Sequence, residues 1–151
     1  MSRDFVPADF DVPTALDGPG FRLLPLMPEH NARDYAAWTS SADHIHATPG
    51  FEGRPWPTEM TPDENLGDLQ RHADDFAGRQ GFTYTVIEGD EEVIGCVYIY
   101  PAEDPAFDAN VRSWVRADRA DLDAVLYRSV SDWLADRWPF ATVDYAPRFE
   151  A

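Results

Sequence analysis

The sequence predicts an α/β domain in which helices are layered on a mixed sheet, and three segments carry this prediction. Residues 108–115 mostly alternate small or apolar residues with polar ones, which is the period of a strand. From Leu122 the apolar residues instead recur every three or four positions, which is the period of a helix. Residues 82–87 and 93–100 are two strand-like segments separated by the turn at 88–92, and they indicate a hairpin.

The turn at 116–120 joins the strand to the helix and carries several charges without any period. Asp118 or Asp121 is placed to cap the free amide groups of the first helical turn. A helix N-terminus behind a tight turn is a common anion site, because free N–H groups and the helix dipole point into it. This geometry permits an anion but does not by itself indicate one.

The first part of the chain contains an arm, a strand and a helix. Residues 1–20 are rich in Pro, Asp and Gly, so we expect an extended arm without a regular element, followed by a single domain over 21–151. Residues 21–26 form a short strand, which Pro25 either ends or confines to a sheet edge. Pro28 then begins a helix. Its apolar or aromatic positions include Ala32, Tyr35, Ala36 and Trp38.

The segment from 39 to 59 has no usable period and is predicted to be a long structured loop, a feature that is often functional in a compact domain. His44 and His46 lie in this loop, and on an extended segment they would face the same way. A third metal ligand is missing nearby, so we predict no metal site. The two histidines remain candidate substrate contacts, together with Trp56.

The next helix has a strong start signal, a capping box with Thr61 at the N-cap, Pro62 at the first helical position and Glu64 at the third. Gly78 or Gly81 is predicted to end it. The predicted buried stripe of this helix is Leu66, Leu69, Ala73 and Phe76.

The chain has 151 residues and a formal net charge of -16, from 12 basic and 28 acidic residues. An acidic surface repels nucleic acid and anionic lipid, so neither is an expected partner. Cys96 is the only cysteine, which excludes an intrachain disulfide and a cysteine-rich zinc site, and its β-branched neighbours predict a buried, inert thiol. No apolar run is long enough to span a membrane and the polar start has no signal-peptide core, so we expect a cytoplasmic location.

Three stretches in this order resemble the GNAT N-acetyltransferase superfamily. FRLLPL at 21–26 followed by PEH at 28–30 is similar to the family's first strand and helix start. VIGCV at 93–97 is similar to its third strand. SWVR at 113–116 followed by LYRSVSDWL at 126–134 is similar to its fourth strand and third helix. The resemblance covers most of the chain and implies a GNAT-like mixed, mostly antiparallel sheet flanked by helices.

The resemblance also implies acetyl-CoA as cofactor, bound between the fourth and fifth strands with its pyrophosphate on the amides of a glycine-rich loop. The cofactor-binding residues that it implies here are Trp114, Val115, Arg116, Arg119, Asp121 and Leu122. The loop at 116–123 departs from the family pattern, because it is shorter and has no glycine. Asp118, Asp121 and Asp123 stand where the phosphates would lie, so we expect weak binding of acetyl-CoA or none.

The resemblance implies a proton donor and a base at the open end of the sheet. Tyr100 or Tyr98 could serve as the acid, and Glu103 or Asp108 as the base. The candidate substrate contacts are His44, His46, Trp56, Tyr98 and Arg112. Two functions follow: an acyl-CoA-dependent N-acyltransferase that acts on a small-molecule or peptide amine, or a catalytically silent GNAT-like domain that acts in ligand binding or assembly.

The last predicted strand, at 140–146, also predicts an assembly state. The family that the chain resembles continues past this strand with a helix and two strands, which do not follow here, so the acceptor wall is expected to come from elsewhere or to be absent. An uncovered edge strand favours pairing with another chain. We therefore predict a homodimer, with the arm at 1–20 as the alternative cover.

Overall fold

A computed structural model describes residues 5–148 and contains one six-stranded sheet in the order β1-β2-β3-β4-β5-β6. The strands are β1 (Leu16–Gly18), β2 (Phe21–Pro25), β3 (Phe82–Glu88), β4 (Glu92–Pro101), β5 (Ala109–Val115) and β6 (Val143–Tyr145). The helices are α1 (Asn31–Thr39), α2 (Ala42–His46), α3 (Pro62–Ala77) and α4 (Asp123–Arg137), with 3-10 turns at Pro28–His30 and Ala117–Leu122. Neighbouring strands are antiparallel except β5 and β6, which are parallel. The predicted fold class is confirmed.

The two faces of the sheet have separate cores. One face packs against α4 through Leu126, Val130 and Trp133, and the segment before β1 adds Val6 to the same core. The other face is covered by α1, α2 and α3, whose core residues are Trp38, Ile45 and Leu69. Cross-strand pairing places Cys96 beside Trp114 and Tyr98 beside Arg112. This second face therefore carries the polar side chains that matter below.

The N-terminal segment was predicted to have no regular element, and this is wrong for its last residues. Leu16–Gly18 forms β1 and pairs antiparallel with β2. Because β2 lies between β1 and β3, it is not an edge strand, and Pro25 ends it instead.

The prediction of a loop over 39–59 is also wrong in part, because α2 lies within it. His44 and His46 are therefore on a helix, where two residues separated by one position lie almost on opposite sides of the axis, a rotation of about 200°. Ile45 between them is fully buried, so the two imidazoles do not share a face.

The capping box of α3 is confirmed. The Glu64 amide donates to Thr61 Oγ1 at 3.1 Å, the Thr61 amide donates to Glu64 Oε1 at 2.9 Å, and Gly78 is the C-cap. The predicted buried stripe is wrong at its first position: Asn65 is buried there instead of Leu66, which is 40% exposed, while Leu69 is buried as predicted. None of the helices in residues 5–148 is long and apolar enough to cross a membrane.

The turn and helix around residue 120 differ from the prediction in their capping. α4 begins at Asp123, and its N-cap residue, Leu122, has no capping side chain. Asp118 instead accepts two hydrogen bonds from the Arg116 guanidinium, at 2.9 and 2.8 Å. The predicted caps at Asp118 or Asp121 are therefore wrong, because the arginine within the same turn is the stronger partner for the Asp118 carboxylate.

Candidate functional site

A cavity of about 430 Å³ opens on the sheet face that carries α1, α2 and α3. Such a volume lies within the usual range for small-molecule sites. β4 and β5 form its floor, α1 and α3 contribute its acidic residues, and the segment after α2 contributes aromatic rings. The side chains that decide its chemistry are Asp34, Phe51, Trp56, Asn65, Asp68, His72, Asp75, Tyr98, Tyr100 and Arg112.

Asp34 is a buried carboxylate on α1 that lines this cavity. Asn65 on α3 holds it with a 3.1 Å hydrogen bond to Oδ2, and Asn65 is itself fixed by Asn31 and by the Trp38 indole N–H. Burial raises the pKa of Asp34 to about 6, although the Asn65 hydrogen bond opposes the shift. Among residues 5–148, no cationic side chain lies within 4 Å of the Asp34 carboxylate. At neutral pH Asp34 is therefore a buried negative charge that no cationic side chain of residues 5–148 contacts.

A second polar group in the cavity is built around His72 on α3. Its Nδ1 lies 2.9 Å from Tyr100 Oη and 3.1 Å from Thr83 Oγ1, and Tyr100 donates to Asp75 Oδ2 at 2.9 Å. Burial lowers the pKa of His72 and raises the pKa of Tyr100, so the imidazole and the phenol are both neutral at neutral pH. With its proton on Nδ1 the imidazole donates to Tyr100 Oη, and in the other tautomer Nδ1 accepts from Thr83 Oγ1.

Aromatic rings form one wall of the cavity. Trp56 lies 5.4 Å from Trp38, 5.9 Å from Phe51 and 6.2 Å from Trp114, measured between ring centroids. Phe51 contacts Tyr98 at 6.2 Å, and the Trp114 indole N–H donates to Tyr98 Oη at 3.0 Å. Aromatic faces close to a carboxylate suit an organic cation, because the ring quadrupole and the negative charge act in the same direction.

The arginines predicted to bind the cofactor are neutralised by the chain's own carboxylates. Besides Asp118, the Arg116 guanidinium contacts Glu92 at 2.8 Å, and these partners raise its pKa. Arg119 holds Glu88 through a fork of contacts between 2.7 and 3.1 Å. Of the other predicted cofactor residues, Trp114 and Val115 are buried, Leu122 is half-buried and Asp121 is exposed.

The backbone amides of this loop are also paired. The Arg116 amide donates to Ile94 O at 2.8 Å and extends the β4–β5 ladder. The Ala117 amide donates to Ser41 Oγ at 2.8 Å, and the Arg119 amide donates to Arg116 O at 2.9 Å. An anion at this turn would have to displace these acceptors.

The space between β5 and β6, where the family holds its cofactor, is filled by a side chain. The two strands pair only as far as Val111 and Tyr145. Beyond that point Arg148, whose side chain is only 3% exposed, donates to Ser113 O at 2.7 Å and to Asp123 Oδ2 at 2.9 Å. Tyr145 Oη and Ser113 Oγ, 2.6 Å apart, complete the closure. These residues, with the paired loop, do not fit acetyl-CoA in the manner of the family.

The structure brings together only four of the eight residues predicted to be catalytic or to contact the substrate. Tyr98, Tyr100, Trp56 and Arg112 all line the cavity. The remaining four do not line this cavity: His44, His46, Glu103 and Asp108.

Two of these outlying residues have partners elsewhere. The Asp108 carboxylate accepts the amides of Ala141 and Thr142 at 2.7 and 3.2 Å, so it holds the turn before β6. His46 Nε2 contacts Pro57 O beside a separate hollow of about 740 Å³. Within residues 5–148, no cluster of three or more His, Cys, Asp or Glu side chains is placed to hold a metal.

The sequence interpretation missed Asp34, Asn65 and His72. A signal for each was present in the helical period. Asp34 precedes the buried Ala37 and Trp38 by three and four positions, so it lies on the buried face of α1. Asn65 and His72 lie on the same face of α3 as the buried Leu69. A polar residue inside an apolar stripe is the pattern that identifies such positions.

Solved structures resemble this chain although no family model and no curated protein matches its sequence. RimJ of Mycobacterium smegmatis, solved with a CoA disulfide, has a TM-score of 0.67 at 14% identity over 90% of this chain and 67% of its own. The microcin C7 self-immunity acetyltransferase MccE, solved with acetyl-CoA and AMP, has a TM-score of 0.64 at 11% identity, with coverage of 83% and 67%. The ribosomal-protein-S5-alanine acetyltransferase of Vibrio fischeri has a TM-score of 0.58 at 13% identity, with coverage of 82% and 67%.

This chain therefore spans about two thirds of the length of these acetyltransferases. At such identities the likeness concerns the architecture: the order of the strands and the helices on both faces of the sheet. The chain has the fold of the GNAT acetyltransferases.

Proposed function

We propose that this chain binds a small organic amine in the cavity, with the ammonium group against the Asp34 carboxylate. One observation carries the proposal: Asp34 is buried, lines the cavity and has no cationic partner among residues 5–148. A buried carboxylate without a cation is costly, and a bound ammonium would remove that cost. The neighbouring Asp68 and Asp75 do not have the same need, because Arg71 and Tyr100 already contact them.

The surroundings of Asp34 support an amine rather than a metal ion. The rings of Phe51, Trp56 and Tyr98 line the same cavity, and organic cations bind to aromatic faces. A cavity of about 430 Å³ is large enough for an amine that carries a ring or a short chain. Asn65 holds the carboxylate in one orientation, so the site is organised before the ligand arrives.

A second candidate function is acetyl transfer from acetyl-CoA to the bound amine. The shared fold supports it, because RimJ and MccE were solved with a CoA disulfide and with acetyl-CoA respectively. The cavity lies against β5, whose Arg112 faces it while the next residue, Ser113, contacts Arg148. This candidate requires a route for the cofactor that the closed space between β5 and β6 does not provide. Binding of the amine is common to both candidates, and acetyl transfer belongs only to the second.

Calorimetric titration of the purified protein with phenethylamine tests the proposal. The matched ligand is 2-phenylethanol, which has the same skeleton without the positive charge. We expect the amine to bind at least about tenfold more tightly than the alcohol at pH 7.5, because a hydrogen bond to a buried charge contributes about 1.5–3 kcal/mol. The affinity for the amine should fall as the pH drops below about 6, since Asp34 then becomes protonated.

Asp34→Asn is the test variant and Asp63→Asn the control. Both remove one negative charge, but Asp63 is exposed at the start of α3 and does not line the cavity. Asp34→Asn should weaken amine binding about tenfold or more, whereas Asp63→Asn should leave it unchanged. Equal binding of amine and alcohol, or equal effects of the two variants, would contradict the proposal.

A further inference from the structure

We infer that the ligand of this cavity is a zwitterion, a small molecule with a carboxylate as well as an ammonium group, and that Arg112 binds the carboxylate. This inference rests on the proposed amine site. It depends on a separate observation, the state of the Arg112 guanidinium.

Arg112 projects from β5 into the cavity and is half-buried. Its Nε donates to Asn110 Oδ1 at 3.2 Å, which fixes the guanidinium plane. Among residues 5–148, no carboxylate lies within 4 Å of it, although the chain has 28 acidic residues against 12 basic ones. Arg116 and Arg119 contact carboxylates, whereas Arg54 and Arg79 bond to backbone carbonyls and Arg112 to an amide oxygen. Arg112 keeps its outer N–H donors available.

The loop after α2 is shaped around the Arg112 side chain. Gly50 has a φ of +98°, and a Cβ at this position would come within 3.3 Å of Arg112 Cγ. Arg54 Nε in turn donates a hydrogen bond to the Gly50 carbonyl oxygen at 3.0 Å. The positive φ therefore favours glycine, and a Cβ at this position would press on the stem of Arg112.

The charges around Arg112 favour an anion. Burial lowers the pKa of Arg112, and repulsion from Arg54 lowers it further, while Tyr98 and Glu103 oppose the shift. A guanidinium remains charged under all ordinary conditions, so its desolvation is a cost that only a bound anion recovers. The planar fork of its N–H groups matches the two oxygens of a carboxylate.

Asp34 and Arg112 therefore present opposite charges to one cavity without neutralising each other. Both line the cavity, and among residues 5–148 no ion pair joins the two. An ammonium ligand would satisfy only Asp34, and a carboxylate ligand would satisfy only Arg112. A ligand that bears both groups, at a spacing that reaches both residues, would satisfy both at once with its carbon skeleton against the aromatic wall.

Titration with three ligands of one skeleton tests the inference. Phenethylamine carries the ammonium alone, 3-phenylpropanoate the carboxylate alone, and phenylalanine both. The variants are Arg112→Met, which keeps the stem without the charge, and Arg112→Lys, which keeps the charge without the fork. Arg22→Met is the control, because Arg22 lies on β2, pairs with Asp17 and does not line the cavity.

We expect the wild-type protein to bind phenylalanine at least about tenfold more tightly than phenethylamine, since one charged hydrogen-bonded pair is gained. Arg112→Met should remove this preference, Arg112→Lys should keep part of it, and Arg22→Met should keep all of it and leave phenethylamine binding unchanged. Equal affinities for phenylalanine and phenethylamine in the wild type would overturn the inference while leaving the amine site intact. Failure of both ligands to bind would overturn the proposed function itself.

Discussion

At the scale of single residues, the buried Asp34 carboxylate gives the stability of the protein a defined dependence on pH. Its pKa is 3.8 in an exposed reference state and about 6 in the folded protein, because burial disfavours the charge. The folded state therefore binds the Asp34 proton more tightly than the unfolded state does. This contribution to stability is complete below about pH 4 and is lost as the pH rises towards 6 and above. A pKa difference of about 2 corresponds to roughly 3 kcal/mol at most.

Asp34→Asn should therefore raise the free energy of unfolding at pH 8 by up to about 3 kcal/mol, and the gain should vanish near pH 4. Asparagine can still accept the hydrogen bond from Asn65, so the packing is conserved. Urea unfolding of wild type and variant between pH 4 and pH 8 measures the difference. The exposed Asp63→Asn change should show no such trend. A variant that is less stable than wild type at pH 8 would show that the buried charge is already compensated.

The residue scale also shows where the sequence interpretation reached its limit. The composition of the turn after β5, which has acidic residues and no glycine, predicted an unfavourable phosphate site. It did not indicate that Arg116 and Arg119 pair with Glu92 and Glu88, since those partners come from β4 and from the end of β3. Asp34 was overlooked because a charged residue in a helix is ordinarily assigned to the solvent face.

At the scale of secondary-structure elements, the period of the sequence predicted most of the fold. β3, β4, β5 and α4 each have a regular pattern over seven or more residues, and all four are present within a few residues of their predicted bounds. α2 has five residues and β1 has three, which is too short for a period to be visible. Their formation depends on contacts with the rest of the chain.

The closure between β5 and β6 could not have been predicted in this way. Arg148 joins β5 and the first turn of α4 through residues 25 and 35 positions away along the chain. Such a contact depends on the tertiary arrangement and leaves no local pattern. The contact fixes the first turn of α4 against β5.

Loss of this contact should destabilise the protein without creating a cofactor site. Arg148→Met leaves the Asp123 carboxylate without its cation, and Asp123 Oδ1 already lacks a hydrogen-bond partner. The expected loss of unfolding free energy is about 3 kcal/mol, and Arg148→Met with Asp123→Asn should recover part of it. Neither wild type nor variant should bind CoA in a calorimetric titration, because the loop amides and arginines remain paired. Micromolar binding of acetyl-CoA by the wild type would contradict this and favour acetyl transfer.

At the scale of the whole molecule, the sheet has two short edges, β1 and β6, with three residues each. Short edge strands offer few free backbone groups, which limits pairing through the edge alone. In the arm, Phe5 stacks on Phe82 and Phe140, with ring centroids 5.8 and 5.1 Å apart. It covers one end of the aromatic core on the α4 face. A hollow of about 280 Å³ lies beside β6, and its wall forms a concave surface. It is lined by Tyr127, Ser131, Leu134, Ala135, Phe140, Ala141, Val143 and Tyr145.

We expect this surface to take part in a homodimer, because it lies beside the edge strand β6 and is lined largely by apolar residues. Sedimentation at micromolar concentration should give twice the chain mass of 17.0 kDa, about 34 kDa. Ala135→Arg should give a monomer, because residue 135 is exposed at this surface and a long charged side chain there would obstruct a partner without disturbing the core. Ala77→Arg, at the exposed end of α3, adds the same charge elsewhere and should leave the dimer intact. A wild-type protein that sediments at 17.0 kDa would show that the short edge and the hollow beside it remain open to solvent.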